Sequence, residues 1–228
     1  MSELQARIAD NLATVHARIE RACQRCGRDP AEVQLLAVSK RHPPEAILAA
    51  HAAGQRDFGE NYVQELVAKA EAVAGTPGLR FRFIGHLQRN KAKDVVRVGA
   101  TVDTVDSLRV AEALDRRAQG AAEPVEVLLQ INVDAEPQKG GVLPEQAREL
   151  AAAVAELKML SLQGVMAIPH VHEDPEQMRP AFRALASIGR ELELPVLSMG
   201  MSADLEVAIE EGSTMVRVGT AIFGPRPA

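Results

Sequence analysis

The sequence is poor in cysteine, and this scarcity limits the metal and redox chemistry that the protein can carry. Of its 228 residues only two are cysteines, Cys23 and Cys26 in "RACQRCGRDP". A structural zinc site needs four ligands, and no second cysteine pair completes one. A thioredoxin-like C-x-x-C follows a strand and opens a helix, whereas this pair lies where a predicted helix ends. His170, His172 and Asp174 also lack a fourth ligand, so we expect neither a metal site nor a redox function.

The sequence also lacks an excess of basic residues and any long hydrophobic run. Its 26 lysines and arginines are outnumbered by 31 acidic residues, which gives a net charge of -5. A protein that neutralises nucleic-acid phosphates normally carries a basic surface. No apolar run approaches the roughly 20 residues that cross a bilayer, and "MSELQARIADNL" lacks the charged-then-apolar layout of a secretory signal. We expect a soluble cytoplasmic protein with neither nucleic acid nor a membrane as its partner.

The sequence does contain a regular alternation of strand and helix patterns. The first 27 residues predict a helix, because apolar residues recur at helical spacing: Ile8, Leu12, Val15 and Ile19. Eight predicted strands follow, each before a helix or a helical turn: 33–38, 57–61, 80–86, 101–106, 125–133, 162–168, 196–200 and 214–224. Strands that alternate with helices predict a parallel sheet covered by helices.

The number of these units indicates which parallel architecture to expect. Eight units in roughly 200 residues fit a (β/α)8 barrel. An open doubly wound sheet is the alternative, but no G-x-G-x-x-G turn follows the first strand. We therefore predict an α/β fold with a single TIM-type (β/α)8 barrel domain over residues 1–228. Residues 1–27 would form an extra helix packed on that barrel.

The first predicted strand, in "EVQLLAVSKRHPP", ends in a lysine. Active sites of barrels lie at the carboxyl ends of the strands, and Leu36, Val38 and Lys40 share the face that would point into the barrel. Partial desolvation would lower the pKa of Lys40 and expose the neutral amine that attacks a carbonyl. A surface lysine, solvated or paired with Glu60, fits the spacing equally well. The pattern alone leaves both interpretations open.

The last predicted strand, in "GSTMVRVGTAIFG", supplies a second inward-facing cation. Alternation directs Arg217 into the barrel, and closure places the eighth strand beside the first. Gly219 and Thr220 then lead into a helical turn, and Ser202 is predicted to begin and cap another helix. Barrels often bind phosphate at these last two loops. A lysine, an inward arginine and two phosphate-binding loops suggest a phosphorylated aldehyde held as a Schiff base, and pyridoxal 5'-phosphate (PLP) fits that description.

Seven ordered blocks of the sequence carry a resemblance to a known family. They are "LLAVSK" (35–40), "FGENYVQE" (58–65), "FIGHLQRNK" (83–91), "LLQINV" (128–133), "GVMAIP" (164–169), "LSMGMSADLEVAI" (197–209) and "GSTMVRVGTAIFG" (212–224). With these blocks the chain resembles the pyridoxal phosphate homeostasis protein family, which is similar in fold to the N-terminal barrel of alanine racemases. Three places depart from the family pattern: Arg41, Arg82 and the segment "PQKGG" (137–141), where family members often have a serine before the lysine. They leave the loop around Lys139 without a predicted role.

The resemblance implies a role for each residue of a PLP site. Lys40 would form the Schiff base with the cofactor, Asn61 would lie beside it, and Met201 would pack near its ring. Arg217 would hydrogen-bond the pyridine nitrogen, as the matching arginine does in alanine racemases. The phosphate would be held by the residues of the last two loops: Ser202, Gly219 and Thr220.

The sequence favours a carrier over an enzyme. Racemisation by two bases needs a second acid/base group opposite the lysine, which alanine racemases take from a tyrosine in a separate domain of a partner subunit. This chain ends at Ala228, and its only tyrosine is Tyr62. We therefore expect a monomeric protein of PLP homeostasis with no dedicated reaction, for which PLP-dependent apo-enzymes are candidate recipients. A racemase-like enzyme is the alternative, and a Schiff-base aldolase is a third that leaves Arg217 without a purpose.

Overall fold

The computed structural model describes residues 2–225, and within them eight parallel strands form a closed barrel. The predicted barrel is therefore confirmed, and the open sheet is wrong. The ends of the expected domain, residues 1 and 226–228, lie outside the described residues. The strands are β1 (Gln34–Val38), β2 (Asp57–Glu60), β3 (Arg80–Phe83), β4 (Thr101–Val105), β5 (Val125–Gln130), β6 (Leu160–Met166), β7 (Val196–Ser198) and β8 (Met215–Val218).

Helices cover the outside of the barrel. They are α1 (Glu3–Cys26), α2 (Pro44–Ala52), α3 (Val63–Ala72), α4 (Ala92–Arg97), α5 (Leu108–Ala118), α6 (Ala147–Ala155), α7 (Arg179–Glu191), α8 (Leu205–Glu210) and α9 (Thr220–Phe223). Short 3-10 turns at 30–32, 89–91, 144–146 and 175–178 precede β1, α4, α6 and α7. In the described part of the chain, no helix is both long enough and apolar enough to cross a membrane.

The N-terminal helix α1 is defined by its caps and by its apolar stripe. Ser2 and Gln5 form a capping box at its start, and Gly27 ends it with a left-handed φ of 69°. The predicted stripe of Ile8, Leu12, Val15 and Ile19 is buried. The helix packs on α2, α8 and α9, the helices next to the first and last strands. It therefore covers the seam at which the barrel closes.

Strand alternation separates an outer apolar layer from the barrel interior. Phe58, Val165 and Val216 belong to the large buried cluster between the strands and the helices. Leu36, Val38, Ile84 and Met215 form a separate buried cluster inside the barrel.

Several predicted strands extend too far at their carboxyl ends. The predicted strand 80–86 stops as β3 at Phe83, because the chain turns at Gly85, where a Cβ atom would lie 1.9 Å from the carbonyl oxygen of Asn61. Only glycine allows this close approach of two backbones. The segments that were predicted as strand ends are therefore the loops that form the upper rim of the barrel.

An ion pair is buried inside the barrel between β3 and β4. Arg82 Nη2 lies 2.8 Å from Asp103 Oδ1, and the Asp103 side chain is fully buried. Because removal of one partner leaves a buried charge without compensation, Arg82→Met should lower the free energy of unfolding by about 3 kcal/mol. The double variant Arg82→Met/Asp103→Leu should regain most of that loss in urea titrations.

Arg97→Met is the matched control, because it breaks an exposed ion pair with Glu71. Its cost should stay below about 1 kcal/mol. An equal cost for Arg82→Met and Arg97→Met would contradict a stabilising role for the interior pair.

Candidate functional site

One cavity at the carboxyl end of the barrel contacts all seven residues that the sequence suggested for the site. Its volume is about 270 Å³, slightly below the roughly 300 Å³ at which small-molecule pockets usually begin. Besides the seven, the lining includes five residues that the sequence did not indicate: Val38, His42, Ile84, Ile168 and Ala203. The cavity therefore brings together side chains from loops that are far apart in the sequence.

Lys40 is half-buried and lines the cavity just beyond the end of β1. The alternative pairing with Glu60 is not what the structure has. Glu60 Oε1 accepts hydrogen bonds from Ser39 Oγ at 2.6 Å and from Lys69 Nζ at 2.8 Å, and Glu60 Oε2 has no partner within residues 2–225. Burial raises the pKa of Glu60, although these two hydrogen bonds oppose the shift. The two residues that follow β1 thus point in opposite directions: Ser39 contacts the outer layer, and Lys40 lines the cavity.

Arg217 lies at the inner wall of the cavity, and only 4% of its surface is exposed. Its Nη1 donates to the carbonyl oxygen of Ser198 at 2.7 Å and to Ser198 Oγ at 2.9 Å, and its Nη2 donates to the carbonyl oxygen of Ala167 at 2.8 Å. Burial lowers the pKa of Arg217 to about 10, against the charges of Asp103 and Asp204. The guanidinium therefore remains a cation at neutral pH, and the carbonyl oxygens of Ser198, at the end of β7, and Ala167, just after β6, fix its orientation.

The loops after β7 and β8 form the polar end of the cavity. Thr220 begins the short helix α9, whose first N–H groups have no acceptor within the helix. Gly219 lies against β1, where an added Cβ would stand 3.1 Å from the carbonyl oxygen of Val38. Two hydroxyls, those of Ser202 and Thr220, line the same cavity. This combination of hydroxyl and backbone donors suits an anion such as a phosphate.

The prediction that Ser202 begins and caps a helix is wrong. Helix α8 begins at Leu205 with Asp204 at the N-cap position. The Asp204 carboxylate accepts a hydrogen bond from Met201 N at 2.5 Å, and Asp204 N donates to Met201 O at 3.2 Å. These bonds close a turn over residues 201–204 in which Ser202 is a central residue. The Ser202 hydroxyl is therefore not used as a helix cap.

Asn61 provides the clearest unsatisfied group in the cavity wall. Its Oδ1 is buried and has no hydrogen-bond partner among the described residues. Because such a group is costly without a partner, it indicates a ligand or a water molecule at this position. An amine, a guanidinium, two hydroxyls and this amide make the cavity suitable for PLP, which carries an aldehyde, a ring nitrogen, a phosphate and a phenolic oxygen.

His42 is the ionisable residue of the cavity that sequence reasoning missed. It is buried, and its ring lies 5.2 Å from the ring of Phe223. Sequence reasoning could have identified His42 as a cavity residue, because it lies two residues after Lys40 in the loop that follows β1. Ile84 and Ile168 were also missed, because apolar residues near strand ends resemble ordinary core residues.

Other residues that the sequence singled out lie away from this cavity. Lys139 lies 2.5 Å from Glu136 and 3.5 Å from Asp134 and lines a neighbouring space of about 430 Å³. The rings of His170 and His172 are 5.0 Å apart. Within residues 2–225, no three histidine, cysteine or acidic side chains are grouped so that they could hold a metal ion.

A larger groove of about 1110 Å³ lies outside the barrel. Four arginines contribute to its lining, namely Arg89, Arg109, Arg116 and Arg117. Among the described residues, no lysine lines this groove, so it lacks an amine that could react with an aldehyde. The smaller cavity is therefore the site that carries the predicted chemistry.

Comparisons with known proteins agree with this fold and identify the family of the chain. The family model for the N-terminal domain of alanine racemase matches residues 11–227. A pyridoxal phosphate homeostasis protein of Pseudomonas aeruginosa is 47% identical over 221 residues, which cover 96% of each chain. Another, from Escherichia coli strain K12, is 48% identical over 228 residues and covers 96% of this chain and 97% of its own.

Solved structures give the same result. PipY of Synechococcus elongatus PCC7942 with PLP bound is 36% identical, with a TM-score of 0.84 over 95% of this chain and 100% of its own. An alanine racemase of Clostridium difficile 630 is 16% identical, with a TM-score of 0.79 over 98% of this chain and 60% of its own. At that identity the racemase shows a shared fold alone. The chain belongs to the pyridoxal phosphate homeostasis protein family, within the wider family of alanine racemase N-terminal domains.

Proposed function

We propose that this protein binds PLP in the cavity beside Lys40 and functions in PLP homeostasis. The observation that carries the proposal is the convergence of Lys40, Arg217, Ser202 and Thr220 on one cavity. Each of these side chains matches one part of a phosphorylated pyridine aldehyde. The bound PLP in the PipY structure, at 36% identity, supports the same ligand for this chain.

We propose that Lys40 holds PLP covalently. The neutral amine of Lys40 attacks the aldehyde carbon, and loss of one water molecule leaves a Schiff base. The residues of the last two loops, Ser202, Gly219 and Thr220, hold the phosphate. Asn61 and Met201 lie beside the ring. Hydrolysis reverses the reaction and returns the free aldehyde, which is what a protein that stores and releases PLP requires.

Arg217, which has a counterpart in alanine racemases, would affect the electronic state of the bound PLP ring. When bound, PLP supplies an electron sink, and that sink is strongest when the ring nitrogen is protonated. A guanidinium donates a hydrogen bond and has no proton to give at neutral pH, so Arg217 would keep the ring nitrogen unprotonated. This weakens the capacity of the cofactor to stabilise a carbanion.

The cavity is also short of a second base. Its ionisable lining within the described residues consists of Lys40, His42 and Arg217, and the ring of His42 lies against Phe223. Tyr62 is 47% exposed and does not line the cavity. We therefore propose that the protein has no dedicated amino-acid reaction, and the name of its relatives as homeostasis proteins supports this. We further propose that residues 1–228 form one domain, that the protein is a monomer, and that PLP-dependent apo-enzymes receive the cofactor.

Covalent binding should depend on one lysine. Purified protein mixed with PLP should gain a chromophore that borohydride reduces, and Lys40→Ala should lose it because no other cavity residue supplies an amine. Absorption spectra before and after reduction measure this. Lys93→Ala, which removes an exposed lysine of α4, is the control and should retain the chromophore. Equal spectra for wild type and Lys40→Ala would exclude the proposed attachment.

The loop hydroxyls should discriminate PLP from pyridoxal. Ser202→Ala and Thr220→Val each remove a hydrogen bond to a charged phosphate, so each should weaken PLP binding about tenfold. Pyridoxal affinity should change much less, because pyridoxal lacks the phosphate. Ser187→Ala, which removes an exposed hydroxyl of α7, is the control for equilibrium titrations of both ligands. Parallel losses for the two ligands would contradict a phosphate-binding role.

The PLP-loaded protein should not turn over amino acids at an appreciable rate. Alanine and other amino acids incubated with it in D₂O should not exchange their α-protons with inversion of configuration, because racemisation by two bases needs an acid/base group opposite Lys40. Proton NMR measures this exchange, and an authentic alanine racemase serves as the positive control. Rapid exchange with inversion would favour the racemase alternative.

A further inference from the structure

Three charged side chains form a buried network on the outer side of β1 and β2. We name the set Glu60, Glu65 and Lys69 the Lys69 network. Lys69 lies on α3 and is 5% exposed, and the Glu60 side chain is fully buried. The three donors of the Lys69 ammonium all find acceptors: Glu60 Oε1 at 2.8 Å, Glu65 Oε2 at 2.9 Å and the carbonyl oxygen of Ser39 at 2.8 Å.

The network binds the backbone on both sides of Lys40. On the amino side, Ser39 O accepts from Lys69 Nζ, and Ser39 Oγ donates to Glu60. On the carboxyl side, Arg41 N donates to Glu65 Oε2 at 2.7 Å. Lys40 therefore lies between two residues that are both tied to α3.

The backbone at Arg41 is in a conformation that a non-glycine residue rarely adopts. Its φ angle is 64°, in the left-handed region. This conformation is strained for a residue with a Cβ atom and persists only where the surroundings enforce it. The Arg41–Glu65 hydrogen bond provides that constraint, together with the bond from His42 N to Ser39 O at 3.0 Å. Backbone strain of this kind is common at functional sites, where a side chain must be held in one orientation.

The composition of the network also argues for a role beyond stability. A buried ion pair contributes little net stability compared with apolar residues of similar size. Helix α3 already packs through apolar residues such as Leu66, which is fully buried. Polar groups placed here provide directional bonds to the Ser39 and Arg41 backbone, which apolar side chains lack.

We propose that Lys69 and Glu65 are positioning residues for Lys40. They fix the backbone of residues 39–42 from the side of α3, so that the Lys40 amine faces the cavity in one orientation. They also keep the Lys69 ammonium on the side of β1 that is opposite to the cavity. The inference rests on the proposed role of Lys40 as the group that binds the aldehyde. It assigns no contact between the Lys69 network and the ligand.

The test compares variants that loosen one side of the turn. Lys69→Met frees Ser39, and Glu65→Ala frees Arg41, whereas Glu65→Gln keeps an acceptor for Arg41 N. Arg18→Gln is the matched control, because it breaks a partly exposed ion pair between α1 and Glu206 at the outer surface. Glu65→Ala serves if Lys69→Met fails to fold, since the Glu65 side chain is 31% exposed.

Two readouts separate this inference from the proposed function. The first is the rate of Schiff-base formation with PLP over a range of pH. The second needs no PLP: formaldehyde and cyanoborohydride methylate lysines, and mass spectrometry of peptides gives the rate at Lys40 relative to Lys93. Lys69→Met and Glu65→Ala should slow Schiff-base formation at least about tenfold and change the pH profile of methylation at Lys40. Glu65→Gln and Arg18→Gln should stay within about twofold of wild type.

Wild-type rates and pH profiles in both Lys69→Met and Glu65→Ala would overturn the positioning role, whatever their stability. A wild-type protein without a Lys40-dependent chromophore would instead refute the proposed function. In that case the methylation profiles of Lys40 would still decide whether the Lys69 network controls this side chain.

Discussion

The parallel pairing of β1 with β8 is the constraint on which the site depends. It sets Leu36 opposite Arg217 in the register that closes the barrel. Because Lys40 follows β1 and Thr220 follows β8, closure brings the Lys40 amine, the Arg217 guanidinium and the Thr220 loop to one cavity. Helix α1 packs across this seam on α2, α8 and α9, so the N-terminal segment supports the cavity without contacting it.

Each buried cation around the cavity has acceptors that determine its direction. Arg217 is held by the carbonyl oxygens of Ala167 and Ser198, Arg82 by Asp103, and Lys69 by two carboxylates and a backbone carbonyl. Such bonds spare these groups most of the cost of burial and leave little freedom to reorient. Of these three cations Arg217 lines the cavity itself, where its fixed guanidinium suits an anionic ligand.

Much of this could be predicted from the sequence, since strand alternation and barrel topology fix which residues face inward. Periodicity predicts the inward direction of Arg217, and the barrel follows from the count of strand and helix units. For Lys40 the periodicity left a surface position equally open, and the family resemblance decided between the two. The Lys69 network could not be predicted, because a lysine nine residues after Glu60 resembles a solvated helix residue until the packing of α3 is known. The prediction that Ser202 caps a helix was wrong, because Asp204, two residues later, takes the N-cap position. The end of β3 could not be predicted either, because it depends on the close approach of Gly85 to the backbone of Asn61, which only the tertiary structure shows.

Barrel closure brings Lys40 to the same cavity as Arg217, and we propose that this one lysine holds the cofactor. Borohydride reduction of the PLP-treated protein, followed by proteolysis and mass spectrometry, identifies the modified lysine directly. The account predicts a phosphopyridoxyl group on the peptide that contains Lys40, at close to one per chain and with little label elsewhere. Label distributed over the exposed lysines, or concentrated on Lys139, would contradict it.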